Sequence, residues 1–408
     1  MIAKWMCEKF LLLVVLCGLF LANASFVVQA VAGDKGKVEE CVPPSQWMDP
    51  ADKKIIDPSG FLRNAAQQQV VLLGEHHDQA EHHRWQLQTL AALHTLHPNM
   101  GIGFEMFSRR VQPVLDRWVV GELSEEDFLQ QSEWKKQWNF APALYMPLFH
   151  FARMNHVPIY ALNVERSLIQ KVGKEGWGAV PEAEREGVTD PAPPSEEYVQ
   201  LLASVYSQHG HAKDGESERT EKEVMDDPAF RRFTQGQTLW DAAMAQGLSA
   251  QLARDDKRLM VGIVGSGHIV NGFGIPEQLA AQGIEKVVTM VAWHSDYTCE
   301  ALQPGFADVV VGMVQSAEQP DEAKPRLGVY LEAHAKGVRI AKVIDGSVAQ
   351  VSGLRQGDIV IKIAGRAAKQ VDDVIAAVKN MLPGTWLPMT VMRAERSLEV
   401  VAKFPAQP

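Results

Sequence analysis

The chain has 408 residues, 46% hydrophobic and 22% charged, with a formal net charge of -10. That is too long for one ordinary domain and apolar enough for a large core, which excludes a generally disordered protein. The acid excess, with no Lys/Arg run to offset it, excludes a nucleic-acid footprint.

At the start, Lys4 and Lys9 precede the apolar run Phe10 to Ala22, followed by the small-residue sites Ala22-Asn23-Ala24 and Ala30-Val31-Ala32. This pattern predicts an export signal and leader over 1–32. The run is shorter than the ~20 residues that a spanning helix needs. Cys17 follows Leu16 rather than a small residue, so a lipid anchor is not supported. Removal of the signal leaves Cys41 and Cys299, which form either a disulfide or two free thiols.

A short helix is expected within Ile55 to Ala66. The run Val70-Val71-Leu72-Leu73 then stops at Gly74 and gives way to Glu75-His76-His77-Asp78. An unbroken aliphatic run of this length reads as a strand covered on both faces. Ligands of open α/β sheets gather at the carboxyl ends of such strands. An extended backbone past Gly74 puts Glu75 and His77 on one face and turns His76 away. Asp78, three residues before Glu81, fits a helix cap at least as well as a chemical role. Leu87, Leu90, Ala91 and His94 then recur at helical spacing.

Met100 to Glu105 repeats the strand-then-carboxylate pattern, which places Glu105 at the same sheet edge. The aromatic stretch from Trp134 to Phe149 reads as core, with Tyr145 kept as a ligand candidate. Val157 to Asn163 is a further strand. Residues 173–231, rich in proline and charge, read as an insertion able to form a lid. Helical spacing returns from Thr234 to Leu252. Leu259 to Val264 is another buried strand, and Gly265-Ser266-Gly267 turns its end so that His268 emerges there. Val287 to Trp293 and Val309 to Val311 complete the series. Strands alternating with helices imply an α/β fold with a mainly parallel sheet and helices on both faces, over about 45–312.

Residues 313–325 change to Ser, Glu, Pro, Asp and Lys, the composition of a linker. The remaining residues, 326–404, alternate in strand fashion around Gly346-Ser347, Gly353 to Asp358 and Pro383-Gly384, with one short helix from about Val371 to Asn380. This is enough for a small β-rich C-terminal domain.

Glu75, His77, Glu105 and His268 form a carboxylate and imidazole set suited to a divalent transition metal. With an open position, such a metal activates water and one carboxylate serves as general base. Glu75 and Glu105 also read as a simple buried hydrogen-bonded pair or as partners for Arg109.

The series Leu73 to Asp78, Phe104-Glu105-Met106-Phe107, Trp134 to Pro147, Phe151-Ala152-Arg153, Ala161-Leu162-Asn163, Gln237 to Ala245 and Gly265-Ser266-Gly267-His268 resembles the ChaN family of the haem-binding uptake and Tiki superfamily. The resemblance implies an exported or cell-envelope, periplasmic protein of iron acquisition that binds haem through a tyrosine, with Tyr145, Tyr198 and Tyr206 as the candidates. Related Tiki and erythromycin-esterase-like branches imply the alternative, a metal-dependent hydrolase using Glu75, His77, Glu105 and His268. A scaffold whose ancestral site is unused is a third possibility. The segment from Arg326 to Pro383-Gly384 resembles a PDZ domain of the bacterial export-protease type. That implies docking of the C-terminal or extended peptide of an exported or membrane protein at Leu327, Gly328, Val329, Leu331 and Val371.

Overall fold

The computed structural model describes residues 41–210, 221–294, 297–314, 325–379 and 381–406. The expected signal and leader, and all of the linker but its ends, lie outside them.

Eight strands form the large sheet: β1 (Trp47–Asp49), β2 (Lys54–Ile55), β3 (Val70–Glu75), β4 (Met100–Ser108), β5 (Ile159–Asn163), β6 (Leu259–Gly265), β7 (Val287–Trp293) and β8 (Val309–Gly312). Their order is β2-β1-β8-β7-β3-β6-β4-β5. The six strands β3 to β8 run parallel, while β1 joins β8 and β2 antiparallel. The parallel expectation holds, and the antiparallel pair is the element it missed. A two-residue strand of exposed Lys54 and Ile55 carries too little apolar pattern to read as a strand.

Every residue of β3, β4 and β6 is buried. Val71 and Leu73 join the core that holds Leu90 and Leu93 of the helix Ala80–Leu96. A Cβ at Gly262, paired with Leu72 across the ladder, would meet Leu72 on one side and Leu248 of the helix Pro228–Leu252 further out. Helices therefore cover both faces. Asp57 caps the helix Pro58–Ala65 by accepting from Ser59 and Gly60 N–H, and Asp227 caps Pro228–Leu252 through Ala229 N–H.

The expected cap at Asp78 is not made. The helix Ala80–Leu96 starts after Gln79 with no side-chain cap, and Asp78 takes a hydrogen bond from the Gln79 side chain. The buried side of this helix is His82, His83, Trp85, Gln86, Thr89, Leu90 and Leu93. Hydrophobic spacing found the helix but not this face, because several of its buried residues are polar.

Within the insertion, Val180 and Val188 pack on Val164, Leu168, Val172 and Leu239. Arg109 donates to the backbone carbonyls of Glu186 and Ala243, 2.9 and 3.1 Å away, and so pins this part of the insertion to the Pro228–Leu252 helix.

The C-terminal sheet has β9 (Val329–His334), β10 (Gly337–Val343), β11 (Ile359–Ile363), β12 (Arg366–Ala367), β13 (Trp386–Arg393) and β14 (Arg396–Lys403). All pairs are antiparallel, in the order β14-β13-β11-β10-β9, with β12 beside β11. Asp358, almost fully buried, accepts two 2.7 Å hydrogen bonds from Arg393 and one from Arg355 N–H. This bidentate pair explains the acid that closes the Gly353 to Asp358 turn.

Candidate functional site

The register of the sheet builds the site. Glu75, the last residue of β3, lies opposite Gly265, the last of β6, and Glu105 of β4 accepts a 2.6 Å hydrogen bond from Gly265 N–H. A Cβ at Gly265 would come within 3.0 Å of the His77 ring and 3.5 Å of Glu105 Oε2. Glycine is what lets these two side chains reach the strand end.

Two relays flank Glu105. In the first, Glu75 Oε1 lies 2.8 Å from His77 Nδ1 and accepts from the Tyr145 hydroxyl at 2.8 Å. In the second, Asp241 Oδ1 lies 2.5 Å from His268 Nδ1, and Asp241 Oδ2 accepts from Tyr198 at 2.7 Å. Each carboxylate fixes its imidazole with Nδ1–H inward and Nε2 outward. The outward nitrogens converge on one atom: Glu105 Oε1 is 3.6 Å from His268 Nε2 and 4.0 Å from His77 Nε2. A third imidazole, His83, approaches Glu75 Oε2 at 3.1 Å, but its Nε2 hydrogen bond goes to the His77 carbonyl, and that carboxylate oxygen has no hydrogen-bond partner among the described residues.

Burial disfavours the charged ring of His268, yet the charges of Asp241 and Glu105 outweigh it and hold its pKa up at about 9. Burial also opposes charge on His77, and the Glu75 hydrogen bond with the charges of Glu105 and Glu75 raises its pKa in spite of that. Burial pushes Asp241 up, and burial followed by the neighbouring carboxylate pushes Tyr145 and Tyr198 far up, so both phenols stay neutral donors.

The four expected residues Glu75, His77, Glu105 and His268 are thus brought together. They meet as ion pairs and hydrogen bonds, however, and among the described residues no three His, Cys, Asp or Glu side chains are placed to hold a metal ion. Arg109, the expected partner of the glutamates, is used by the insertion instead. His76 does turn away, stacking on His294 at 4.0 Å. Tyr145 is at the site but fully buried and committed to Glu75, and Tyr198 is likewise buried on Asp241; an iron atom would have to displace those bonds to reach either phenol. His77, with 27% of its side chain exposed, is the more open imidazole of the two relays.

Sequence reasoning gave no role to Asp241, His83 or Trp240. Asp241 and Trp240 sit inside the Gln237 to Ala245 motif, which was the available signal. A cleft of about 340 Å³ opens beside Glu105, with Trp138 and Trp240 among its walls and Arg166 and Gln170 at its rim.

In the C-terminal domain, β9 ends the sheet, with β10 on one side and no strand on the other among the described residues. Val329 and Leu331 of β9 and Val371 of the helix Val371–Lys379 are half-buried against a core that includes Leu327, Val374 and Val378. Gly328 has φ +80°, and a Cβ there would meet Ser347 Cβ at 2.2 Å, so only glycine fits this turn. The expected peptide-binding residues therefore lie together along an open strand edge and the helix beside it.

Fold and site define a two-part protein, a parallel α/β domain with an acid and imidazole cluster at its strand ends, joined to a small antiparallel module with an open strand edge. Residues 61–279 match the family model "Haem-binding uptake, Tiki superfamily, ChaN", and residues 325–403 match a PDZ domain. The chain belongs to the ChaN family of haem-binding uptake proteins and carries a PDZ domain. A solved structure described as "Cofacial heme binding to ChaN of Campylobacter jejuni" is 19% identical and covers 65% of this chain and 95% of that one, with a TM-score of 0.49. Among curated proteins, a probable periplasmic serine endoprotease DegP-like of Chlamydia muridarum is 27% identical over 144 residues, 35% of this chain and 26% of the relative. Its counterpart in Brucella suis is 24% identical over 174 residues, 41% of this chain and 31% of the relative. The chain spans about a quarter to a third of the length of these relatives. Among the described residues no helix is long and apolar enough to cross a membrane.

Proposed function

We propose that this is an exported, periplasmic haem-binding protein of iron acquisition, whose PDZ domain docks the C-terminal or extended peptide of an exported or membrane partner. The observation that supports haem most directly is His77, an imidazole open to solvent and set in place by Glu75 at the centre of the ChaN-type domain. Haem bound there would supply iron for transport, and this chain's part is to present and orient the imidazole. Neutral His77 is needed for a bond to iron, and its raised pKa makes binding favour mildly alkaline over acidic solution. Haemin titration of the purified protein should give a Soret band at one equivalent, lost in His77→Ala and retained in Tyr145→Phe. Loss in Tyr145→Phe with retention in His77→Ala would return the ligand to tyrosine.

A second reading, the hydrolase, draws on Glu105 Oε1, which faces two imidazoles at distances that leave room for a water. In that reading Glu105 is the general base, and the PDZ domain positions the substrate. Peptide cleavage by the purified protein that disappears in Glu105→Gln, with no Soret band, would favour it.

A further inference from the structure

The cleft beside Glu105 has three features that neither the haem reading nor the PDZ domain uses. At its floor, Glu105 is almost fully buried, and its Oε1 accepts no hydrogen bond among the described residues, although two imidazole nitrogens stand 3.6 and 4.0 Å away. Separations beyond hydrogen-bond length around one point suit an intervening atom. Such an atom must donate to Glu105 and accept from His268, whose two ring nitrogens each face a carboxylate, Asp241 and Glu105, and so both donate. A hydroxyl does both, whereas an ammonium only donates and a carboxylate only accepts.

The walls include the tryptophans Trp138 and Trp240. Indole walls suit a compact body with a C–H face. At the exposed rim, Arg166 makes no ion pair among the described residues, and its Nη2 is held by the Gln137 carbonyl at 3.1 Å. An unpaired, tethered guanidinium is built to receive a carboxylate. Gln137 and Gln170 also line the cleft. At about 340 Å³ the space is at the small end of ligand pockets, the size of a monosaccharide rather than a tetrapyrrole.

We propose that this cleft binds a small polyhydroxylated carboxylic acid of the sugar-acid class, with a hydroxyl on Glu105 and His268, the ring against the indoles, and the carboxylate on Arg166. The test is calorimetric titration of the full chain at pH 7 with D-glucuronate, with D-glucose as the analogue lacking the carboxylate and adipate as the analogue lacking the hydroxyls. Saturable one-site binding of glucuronate is expected, at least ten-fold tighter than either analogue. Arg166→Gln, a change at an exposed residue that leaves the core intact, should weaken glucuronate at least ten-fold while leaving the haemin titration unchanged. Glu105→Gln should weaken glucuronate and glucose alike; should that variant fail to fold, Arg166→Gln alone decides. Glucuronate binding no tighter than both analogues, or unaffected by Arg166→Gln, would overturn the proposal whatever haemin does.

Discussion

The two relays that flank Glu105 have the same chemistry, a tyrosine on a carboxylate on an imidazole, but they are built in opposite ways. Glu75 ends β3 and His77 lies two residues on, in the turn that follows, so the short chain between them sets their distance. Asp241 and His268 come from a long helix and a turn, and Tyr198 comes from a third segment. The first relay leaves its imidazole partly open, at 27% exposure, and the second leaves its imidazole at 10%. Here the imidazole paired at long range is the buried one, and the locally paired imidazole faces solvent. The local relay therefore presents the more open imidazole, and the remote one holds its imidazole in a fixed place beside Glu105.

That contrast can be broken most forcefully at Asp241. Asp241→Leu strands a buried imidazolium and should cost about 3–5 kcal/mol, read as a lower midpoint in thermal or denaturant unfolding. Next comes pH. His268 is raised from 6.5 to about 9, so its stabilisation is fully present below pH 6.5 and is lost as pH climbs through 9. The loss should be about 3 kcal/mol in unfolding curves across that window, and absent in His268→Gln. Glu75→Leu should cost less, about 2 kcal/mol, because the half-open His77 can turn to water; an equal or larger cost than Asp241→Leu would erase the distinction between the relays. The smallest effects belong to the phenols: Tyr145→Phe and Tyr198→Phe should each cost about 1–2 kcal/mol, since the carboxylate keeps its imidazole.

The same contrast governs what could be read from the sequence. The strand ends and the set Glu75, His77, Glu105 and His268 were legible because each follows an apolar run into a polar terminus, a signal local in the chain. Asp241 sits within a helical stretch whose spacing marks only hydrophobic residues, so nothing local separates it from a solvated acid. The buried face of Ala80–Leu96 escaped for the same reason, with His82, His83 and Gln86 turned inward. Tyr145 was singled out, but its partner was not, because a hydrogen bond to Glu75 spans 70 positions. The β1 and β2 strands were missed because three- and two-residue strands show too few alternations to register.

Those two short strands also bear on how the domain comes to be folded. Trp47 pairs with Val311 and Met48 with Val310, so the first described strand finds its place only when the last strand of the domain exists. Pairings of such long sequence separation close late and slowly, because the intervening chain must be ordered first. Until then the outer edge of β8 is bare, a template for another chain's strand. Closure of the two ends is therefore the step at which the folding protein is most exposed to aggregation, and a truncation that removes residues 47–49 should yield a protein that refolds its centre yet self-associates along β8.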